Sequence, residues 1–166
     1  DRSLRRLARG LAPAAPATSI DAPSEAGHTS DVRHVLVVDA EPLVLRATAR
    51  MLENRGLRVT PCGDPTEALD RMAAAEPAID CVVTDFSMPG QNGLGLAARI
   101  REFHPRMPIV LVTGFLENQN AQRAAGAGVT RVLNKPCRSA QLLEAIAQAC
   151  TEVSGGGGTH REGAPE

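Results

Sequence analysis

Aromatic residues are scarce in this chain: its 166 residues include three Phe and neither Trp nor Tyr. Surfaces that bind single-stranded nucleic acid stack bases on aromatic side chains, so the composition argues against that function. The formal net charge of −1 provides no basic field to attract nucleic acid or an anionic membrane. No apolar run approaches the roughly 18 residues needed to cross a bilayer. We therefore expect a globular domain that binds neither nucleic acid nor a membrane.

Cysteines are few and widely separated. They lie at positions Cys62, Cys81, Cys137 and Cys150, and no CxxC pair occurs. Structural zinc sites normally need such closely spaced ligands, so the spacing argues against one. The pattern is typical of reduced thiols in a cytosolic protein, which predicts a cytoplasmic location.

Both ends of the chain have compositions typical of disorder. Residues 1–31 are rich in Ala, Pro, Ser and Arg without a sustained hydrophobic period, which predicts a disordered linker. A secretory leader is excluded because two prolines interrupt the short apolar part. Ser154 and the four glycines after it open a predicted flexible tail, residues 154–166. The remaining residues, 32–153, suit one domain.

Between these ends, short apolar runs alternate with segments of helical period. The predicted strands lie at 34–38, 57–60, 80–84, 108–112 and 131–134. Apolar stripes mark the first helix (Val44, Ala47, Met51), the third (Leu96, Ile100, Phe103) and the fifth (Leu142, Ile146, Ala149). The second helix is predicted at 64–75, and the fourth, Ala-rich and weakly striped, at about 117–125. Apolar strands alternating with helices predict a parallel sheet covered by helices, an α/β fold of five βα units.

Polar residues stand at the carboxyl ends of four predicted strands. Asp39 follows the first strand, Asp85 the third, Thr113 the fourth and Lys135 the fifth. In a parallel sheet these ends share one edge, where α/β proteins bind their ligands. Carboxylates gathered at one place require a cation or a proton, and oxygen ligands of this kind suit Mg²⁺. With the lysine charge and the threonine hydroxyl, they are the groups needed to hold a phosphoryl group on Asp85.

Four motifs at these strand ends resemble those of the response-regulator receiver domain of two-component signalling. They are Val35–Asp39, Thr84–Gly90, Val112–Gly114 and Lys135–Pro136, in this order. The resemblance covers residues 33 to about 152. It implies a flavodoxin-like (βα)5 fold, a three-layer sandwich whose parallel sheet has the strand order 2-1-3-4-5.

The resemblance also implies a phosphoacceptor and a metal site. Asp85 would accept a phosphoryl group from a histidine kinase or a histidine phosphotransfer protein, with Mg²⁺ as cofactor. Asp39 and Asp85 would belong to the metal site, together with the backbone carbonyl of Ser87. The family usually has a second acidic residue after the first strand, and this chain has Ala40 there. Glu41 is the candidate to compensate as a metal ligand.

The last two strands would supply the groups that respond to phosphorylation. The resemblance implies that Thr113 is the switch hydroxyl, that Lys135 pairs with the phosphate, and that the Lys135–Pro136 peptide bond is cis, an isomer that proline makes accessible. The family usually carries an aromatic rotamer switch three residues before this lysine. Here that position is Val132, so the output signal departs from the family pattern.

Two interpretations of the function stay open. The first is a phosphoacceptor receiver that catalyses its own phosphorylation with Mg²⁺. The second is a pseudo-receiver, a protein-interaction module that binds partners through its last two helices, which could also form a homodimer. An FMN-binding module is disfavoured because the chain lacks aromatics to stack the flavin. A dinucleotide fingerprint at Gly93–Ala98 is excluded because the segment lies well past the end of its strand.

The sequence contains neither a P-loop nor a kinase ATP-binding motif, so we expect self-phosphorylation at most. It begins at Asp1 instead of Met and opens on a linker-like composition. We therefore expect either a single-domain regulator or, with more support from the sequence, the carboxyl-terminal receiver of a hybrid sensor histidine kinase.

Overall fold

A computed structural model of the chain, which describes residues 32–74, 78–114 and 118–155, contains alternating strands and helices. The strands are β1 His34–Val38, β2 Arg58–Cys62, β3 Cys81–Asp85, β4 Ile109–Thr113 and β5 Arg131–Asn134. The helices are α1 Pro42–Glu53, α2 Pro65–Ala74, α3 Gly93–Phe103, α4 Asn118–Gly126 and α5 Ser139–Gly155. The predicted linker at 1–31 and most of the predicted tail, 156–166, lie outside the described residues.

The strands form one parallel sheet in the order β2-β1-β3-β4-β5. Asp85 at the end of β3 pairs with Val112, and Thr113 at the end of β4 pairs with Asn134 of β5. This register brings the carboxyl ends of the central strands to one edge of the sheet. The predicted flavodoxin-like (βα)5 fold with the strand order 2-1-3-4-5 is confirmed.

Side chains of the central strands fill two apolar layers, one on each face of the sheet. One layer packs under α2 and α3 and contains Leu36, Val38, Val82, Leu96 and Ile100. The other packs under α1 and α5 and contains Val35, Val37, Val83, Leu142 and Ile146. Strands covered on both faces have to be apolar on both, which explains the uninterrupted apolar runs of β1 and β4.

The buried face of α1 differs from the predicted one. The predicted stripe was Val44, Ala47 and Met51, but Ala47 is exposed. The residues of α1 that pack on the sheet are Leu45, Ala49 and Leu52, together with Met51 of the predicted stripe. Apolar residues are so frequent in α1 that both stripes satisfy a helical period. The direction in which the helix crosses the sheet selects one of them.

Phe103 was predicted in the buried stripe of α3, and this is wrong because its exposure is 68%. It is the last residue of the helix. The stripe of α5, with Leu142, Ile146 and Ala149, is buried as predicted. Among the described residues, no helix combines the length and apolar character that crossing a bilayer requires.

Element boundaries differ from the predictions by a few residues. β2 continues through Pro61, which an edge strand tolerates because no ladder partner needs the missing N–H. The strands β3 and β4 include Asp85 and Thr113 as their last residues. The helix α5 runs through Ser154 and Gly155, the first two residues of the predicted tail.

Candidate functional site

Three charged side chains from different strands meet at the carboxyl-terminal edge of the sheet. Asp39 follows β1, Asp85 ends β3, and Lys135 follows β5. The Lys135 Nζ atom lies 3.0 Å from Asp85 Oδ1 and 3.6 Å from Asp39 Oδ2. The structure thus places together three residues that are distant in the sequence. One ammonium group is shared between two carboxylates.

Asp39 is buried and Asp85 is largely so, while the amine keeps contact with solvent. The side-chain exposure is 8% for Asp39, 10% for Asp85 and 34% for Lys135. Burial alone would lower the pKa of Lys135, but the hydrogen bond and charge of Asp85, reinforced by Asp39, raise it above the ordinary value. Lys135 is also the only lysine in the sequence. Because its pKa is raised, Lys135 carries a positive charge at neutral pH.

Backbone groups on both sides fix Asp39. Its Oδ1 atom accepts a hydrogen bond from the Glu41 N–H at 2.8 Å, and its own N–H donates to the Cys62 carbonyl at 3.2 Å. Pro42 then begins α1, a position at which proline is compatible with the helix. Glu41 contributes its backbone and is otherwise exposed. Ala40 is half-buried and packs against the layer under α2 and α3.

The turn after β3 holds the backbone of Asp85. Gly93 approaches so closely that a Cβ there would lie 2.4 Å from the Asp85 carbonyl oxygen and 2.7 Å from Leu111 Cδ1. The Gly93 N–H donates to the Phe86 carbonyl at 2.9 Å, and the Phe86 N–H donates to the Val112 carbonyl at 2.9 Å. Any side chain at position 93 would push on the Asp85 backbone, so this contact requires glycine.

Ser87 lies in the same turn, two residues after Asp85, and is exposed. Met88 beside it is buried in the layer under α2 and α3. Gly90 has a φ of +82°, in the left-handed region that favours glycine. The buried Met88 and the glycine turn keep Ser87 close to the strand end, as a metal ligand from its backbone carbonyl would have to be.

The ends of β4 and β5 are joined by hydrogen bonds. The Lys135 N–H donates to the Thr113 carbonyl oxygen at 2.8 Å. Thr113, the predicted switch hydroxyl, is 4% exposed and ends the strand beside Asp85. The Lys135–Pro136 peptide bond is cis. These contacts set the point from which the Lys135 side chain reaches the two carboxylates.

Val132, at the position of the family's aromatic residue, belongs to a small apolar cluster. It is partly buried and packs with Leu94, Leu111 and Ala124. Its branched Cβ restricts the rotamers it can adopt. Val132 therefore lacks the inward and outward positions that an aromatic ring could take.

A cavity of about 410 Å³ adjoins the charged residues and is lined by parts of α1 and α5. Besides Asp39, Asp85 and Lys135, its lining is mostly apolar and comprises Val37, Val38, Val44, Thr48, Val83, Val112, Pro136, Cys137 and Leu142. Sequence reasoning did not place Thr48 or Cys137 at this site. The position of Cys137 two residues after Lys135 was a usable signal. Thr48 was missed because it is polar and does not belong to the apolar stripe that marked α1, although Val44 of that stripe lines the same cavity.

The donors at this edge fit Mg²⁺ with several water ligands. Mg²⁺ uses one or two carboxylates and retains water, and Asp39 and Asp85 supply two carboxylates. Ala40 offers no side-chain oxygen. Within the described ranges, no three His, Cys, Asp or Glu residues gather as a metal site would require. The fit therefore depends on two carboxylates, a backbone carbonyl and water.

Residues 35–147 match the sequence model of a protein family, the response regulator receiver domain. This match covers more than half of the chain, and it includes β1 from its second residue, all of β2 to β5 and every charged residue of the site. The chain therefore belongs to the response-regulator receiver family, as its motifs predicted.

Relatives in this family include kinases and regulators. The chain is 31% identical over 145 residues to the sensor histidine kinase RcsC of Salmonella typhi, a match that covers 87% of this chain and 15% of that protein. It is 30% identical over 123 residues to the response regulator protein TmoT of Ectopseudomonas mendocina, covering 74% of this chain and 55% of that protein. The chain thus spans less than two thirds of either relative.

Solved receiver domains have the same fold. A response regulator receiver domain protein from Clostridium thermocellum superposes with a TM-score of 0.69 at 29% identity, covering 74% of this chain and 98% of that one. The chain accordingly functions in two-component phosphorelay signalling. Receiver domains generally bind Mg²⁺ at the phosphorylation site and interact with histidine kinases or phosphotransfer proteins.

Proposed function

We propose that Asp85 is the phosphoacceptor of this receiver and that its donor is a phosphohistidine on a histidine kinase or a histidine phosphotransfer protein. The observation that carries the proposal is the Lys135 ammonium, 3.0 Å from Asp85 Oδ1 and also within reach of Asp39. A carboxylate oxygen of Asp85 attacks the phosphorus. The P–N bond breaks, and its electron pair returns to the imidazole nitrogen.

The neighbours of Asp85 stabilise the charge that transfer brings into a buried site. A phosphoryl group carries a charge of about −1.5 to −2 at neutral pH, and it replaces the single negative charge of the Asp85 carboxylate. Lys135 supplies a fixed positive charge beside the oxygen that reacts, and catalysis of phosphoryl transfer consists mostly of such positioning and charge stabilisation. In this proposal the Thr113 hydroxyl donates a hydrogen bond to a phosphoryl oxygen. This contact would couple the end of β4 to the state of Asp85.

Mg²⁺ is the proposed cofactor, with Asp39, Asp85 and the Ser87 backbone carbonyl as its protein ligands. When bound, the ion neutralises negative charge on the carboxylates and on the transferred group. Glu41 remains the proposed compensation for Ala40. Its exposed side chain and its backbone hydrogen bond to Asp39 leave it beside the site.

Replacing Asp85 by Asn tests the phosphoacceptor directly. The amide is a poor nucleophile of nearly the same shape, so labelling by a small acyl phosphate with Mg²⁺ should fall to background while the fold is kept. Intact-protein mass spectrometry measures the added phosphoryl group, and circular dichroism measures the fold. Asp70→Asn, at an exposed position on α2, is the matched control and should label like the parent. Stoichiometric labelling of Asp85→Asn at the same site would contradict the assignment.

The same experiment separates the receiver from a pseudo-receiver. If the parent protein takes up no phosphoryl group from an acyl phosphate with Mg²⁺, the interaction-module function is favoured. A homodimer through α4 and α5 is compatible with both functions, the phosphoacceptor receiver and the interaction module. Sedimentation with and without a beryllofluoride phosphate mimic would measure such a homodimer.

We also propose a cytoplasmic location and no nucleic-acid partner. The four cysteines are free thiols, which is usual in a reducing compartment. The net charge of −1 gives no electrostatic attraction toward nucleic acid. Fractionation of cells that produce the tagged chain would test the location.

A further inference from the structure

Two cysteines lie together at the interface between the sheet and α5, away from the charged site. Cys81 is the first residue of β3 and is fully buried, and Cys150 on α5 is half-buried. Both belong to the apolar layer under α1 and α5. The Cys150 Sγ atom is 3.9 Å from the carbonyl oxygen of Asp80, the residue bonded to Cys81. The thiol on the helix therefore reaches the peptide next to the thiol on the strand.

The two thiols differ in acidity. A hydrogen bond between their side chains is the main cause of both shifts: it raises the pKa of Cys81 and lowers the pKa of Cys150. Burial adds to the rise at Cys81, and at Cys150 burial and the charge of Asp80 oppose the lowering. The half-buried thiol of Cys150 is therefore the more acidic of the two. The reactive form of cysteine is the thiolate, so Cys150 is the nucleophile of the pair.

The other two cysteines are suitable internal comparisons. Cys62 is fully buried, and burial together with the charge of Glu67 raises its pKa to about 12, so its thiol is unreactive. Cys137 is half-buried like Cys150 but lines the cavity beside Lys135. Lysine and arginine positions in the sequence place each of the four cysteines in a separate tryptic peptide.

We propose that Cys81 and Cys150 form a redox modification site, which a hydroperoxide oxidises to an intramolecular disulfide. The Cys150 thiolate attacks a peroxide oxygen, the O–O bond breaks, and the departing hydroxide takes up a proton to form water. The sulfenic acid on Cys150 is then attacked by the Cys81 sulfur. The S–O bond breaks, and the hydroxyl leaves as water with the Cys81 proton. With hydrogen peroxide, two thiols and one peroxide give one disulfide and two waters.

The disulfide would connect the amino end of β3 to α5, at the opposite end of the strand from Asp85. It closes a long loop that includes β4 and β5, so it restricts the unfolded chain more than the folded one. We expect a higher melting temperature for the oxidised protein and its return to the parent value with dithiothreitol. An unchanged or lower melting temperature would mean that the bond strains the fold, and it would overturn the stabilising role of this bridge.

Peptide mapping after treatment with hydrogen peroxide tests the bond itself. The parent protein should yield the Cys81 and Cys150 peptides as one cross-linked species, lighter by two hydrogens than their sum and separable by reductant. Cys137→Ser should give the same species. Cys150→Ser should not give it, and its Cys81 should remain available to alkylation after denaturation. Oxidation of Cys150 to a sulfinic acid without a cross-link, or a disulfide that involves Cys62 or Cys137 instead, would overturn the proposal.

The acidity difference supplies a second measurement that does not depend on oxidation. The rate of Cys150 alkylation by iodoacetamide should rise with pH, and in the parent this rise should occur at lower pH than in Cys81→Ala. In Cys81→Ala the lost hydrogen bond should displace the curve to higher pH. If that variant does not fold, the comparison is between Cys150 and Cys137 in the parent, where Cys150 should be alkylated faster below pH 8, about half a unit under the ordinary cysteine pKa. Equal alkylation rates in either comparison would overturn the assignment of Cys150 as the nucleophile.

Discussion

Ala40 is the residue at which the proposed metal site departs from the family pattern. It is half-buried next to Asp39 and provides no oxygen. Replacing it by Asp adds a third carboxylate to a site with two, and ligand charge is one of the features that set the affinity for a hard cation. We expect Mg²⁺ to bind Ala40→Asp about tenfold more tightly, or about 1.4 kcal/mol. Isothermal titration with Mg²⁺ measures the change.

A charge placed on the exposed surface of α1 separates a ligand effect from a general electrostatic one. Ala47 is exposed, so Ala47→Asp adds the same charge away from the buried carboxylates. This control should bind Mg²⁺ like the parent. If Ala40→Asp binds Mg²⁺ equally or more weakly, the site is already complete without a third carboxylate.

Lys135 makes the stability of the fold depend on pH in the alkaline range. Its folded-state pKa is raised above the unfolded value, with Asp85 and Asp39 as the partners that outweigh burial. Its contribution is therefore complete below the ordinary lysine pKa of about 10.4 and is lost as the pH rises through the folded-state pKa. Lys135→Met should be less stable than the parent at neutral pH, and the difference should shrink above about pH 10. Urea unfolding at several pH values measures it.

Arginine at the same position is the control for this pH dependence. Arginine does not titrate in this range, so Lys135→Arg should not show the lysine-dependent loss at high pH. Because the chain has no other lysine, the comparison isolates one amino group. Parallel stability curves for the parent and Lys135→Met across the alkaline range would contradict the role given to the ion pairs.

At the scale of elements, the junction of β3 with α3 links helix packing to Asp85, the proposed phosphoacceptor. A Cβ on Gly93 would overlap the Asp85 carbonyl oxygen, at 2.4 Å. Gly93→Ala should destabilise the fold by about 1 to 3 kcal/mol, the usual range for overpacking. It should also slow phosphorylation, because the backbone that moves is that of Asp85. Urea unfolding and acyl phosphate labelling measure the two effects.

Gly95 in the same helix is the matched control. A Cβ there would approach the side chain of Gln91 at 2.9 Å, and a flexible side chain can move aside. Gly95→Ala should therefore be neutral or stabilise the helix by up to about 1 kcal/mol. It should leave labelling unchanged. A larger loss of stability in Gly95→Ala than in Gly93→Ala would contradict the role given to the close contact between Gly93 and the Asp85 backbone.

The elements most accurately predicted from the sequence are those whose pattern is local. β5 matches its predicted residues, and the predicted stripe of α5 is buried. The face of α1 was not predictable in this way, because two stripes fit the period and long-range packing chooses between them. Phe103 illustrates the same limit: its spacing fits the stripe, but the helix ends where the sheet no longer covers it.

For the whole molecule, the charged site was more predictable than its surroundings. The parallel topology alone requires Asp39, Asp85 and Lys135 to share an edge, so their proximity followed from the strand assignments. The Cys81–Cys150 pair did not follow, because it depends on where α5 crosses the amino end of β3. No periodic pattern encodes that crossing. Pairs between a strand and a distant helix require coordinates.

The conformational change that phosphorylation of Asp85 causes in α4 should be small in this receiver. Val132 is fixed in an apolar cluster with Ala124 of α4, so it lacks the movement of an aromatic ring. We expect beryllofluoride to cause small amide NMR shifts in α4, and still smaller ones in Lys135→Met, which loses the charge that contacts the phosphoryl group. Labelling of the variant should persist at a reduced rate. Large shifts of equal size in α4 of both proteins would contradict the role of Lys135.

The single lysine at the centre of the charged site also makes the molecule a spectroscopic tool. Reductive methylation with ¹³C-labelled formaldehyde modifies only amines, and here these are the Lys135 side chain and the amino terminus of the chain. Methylation keeps the positive charge. The ¹³C spectrum of the labelled protein would therefore contain one resonance from inside the site. Its position would report the charge around it in real time, as cations and phosphate mimics enter and leave.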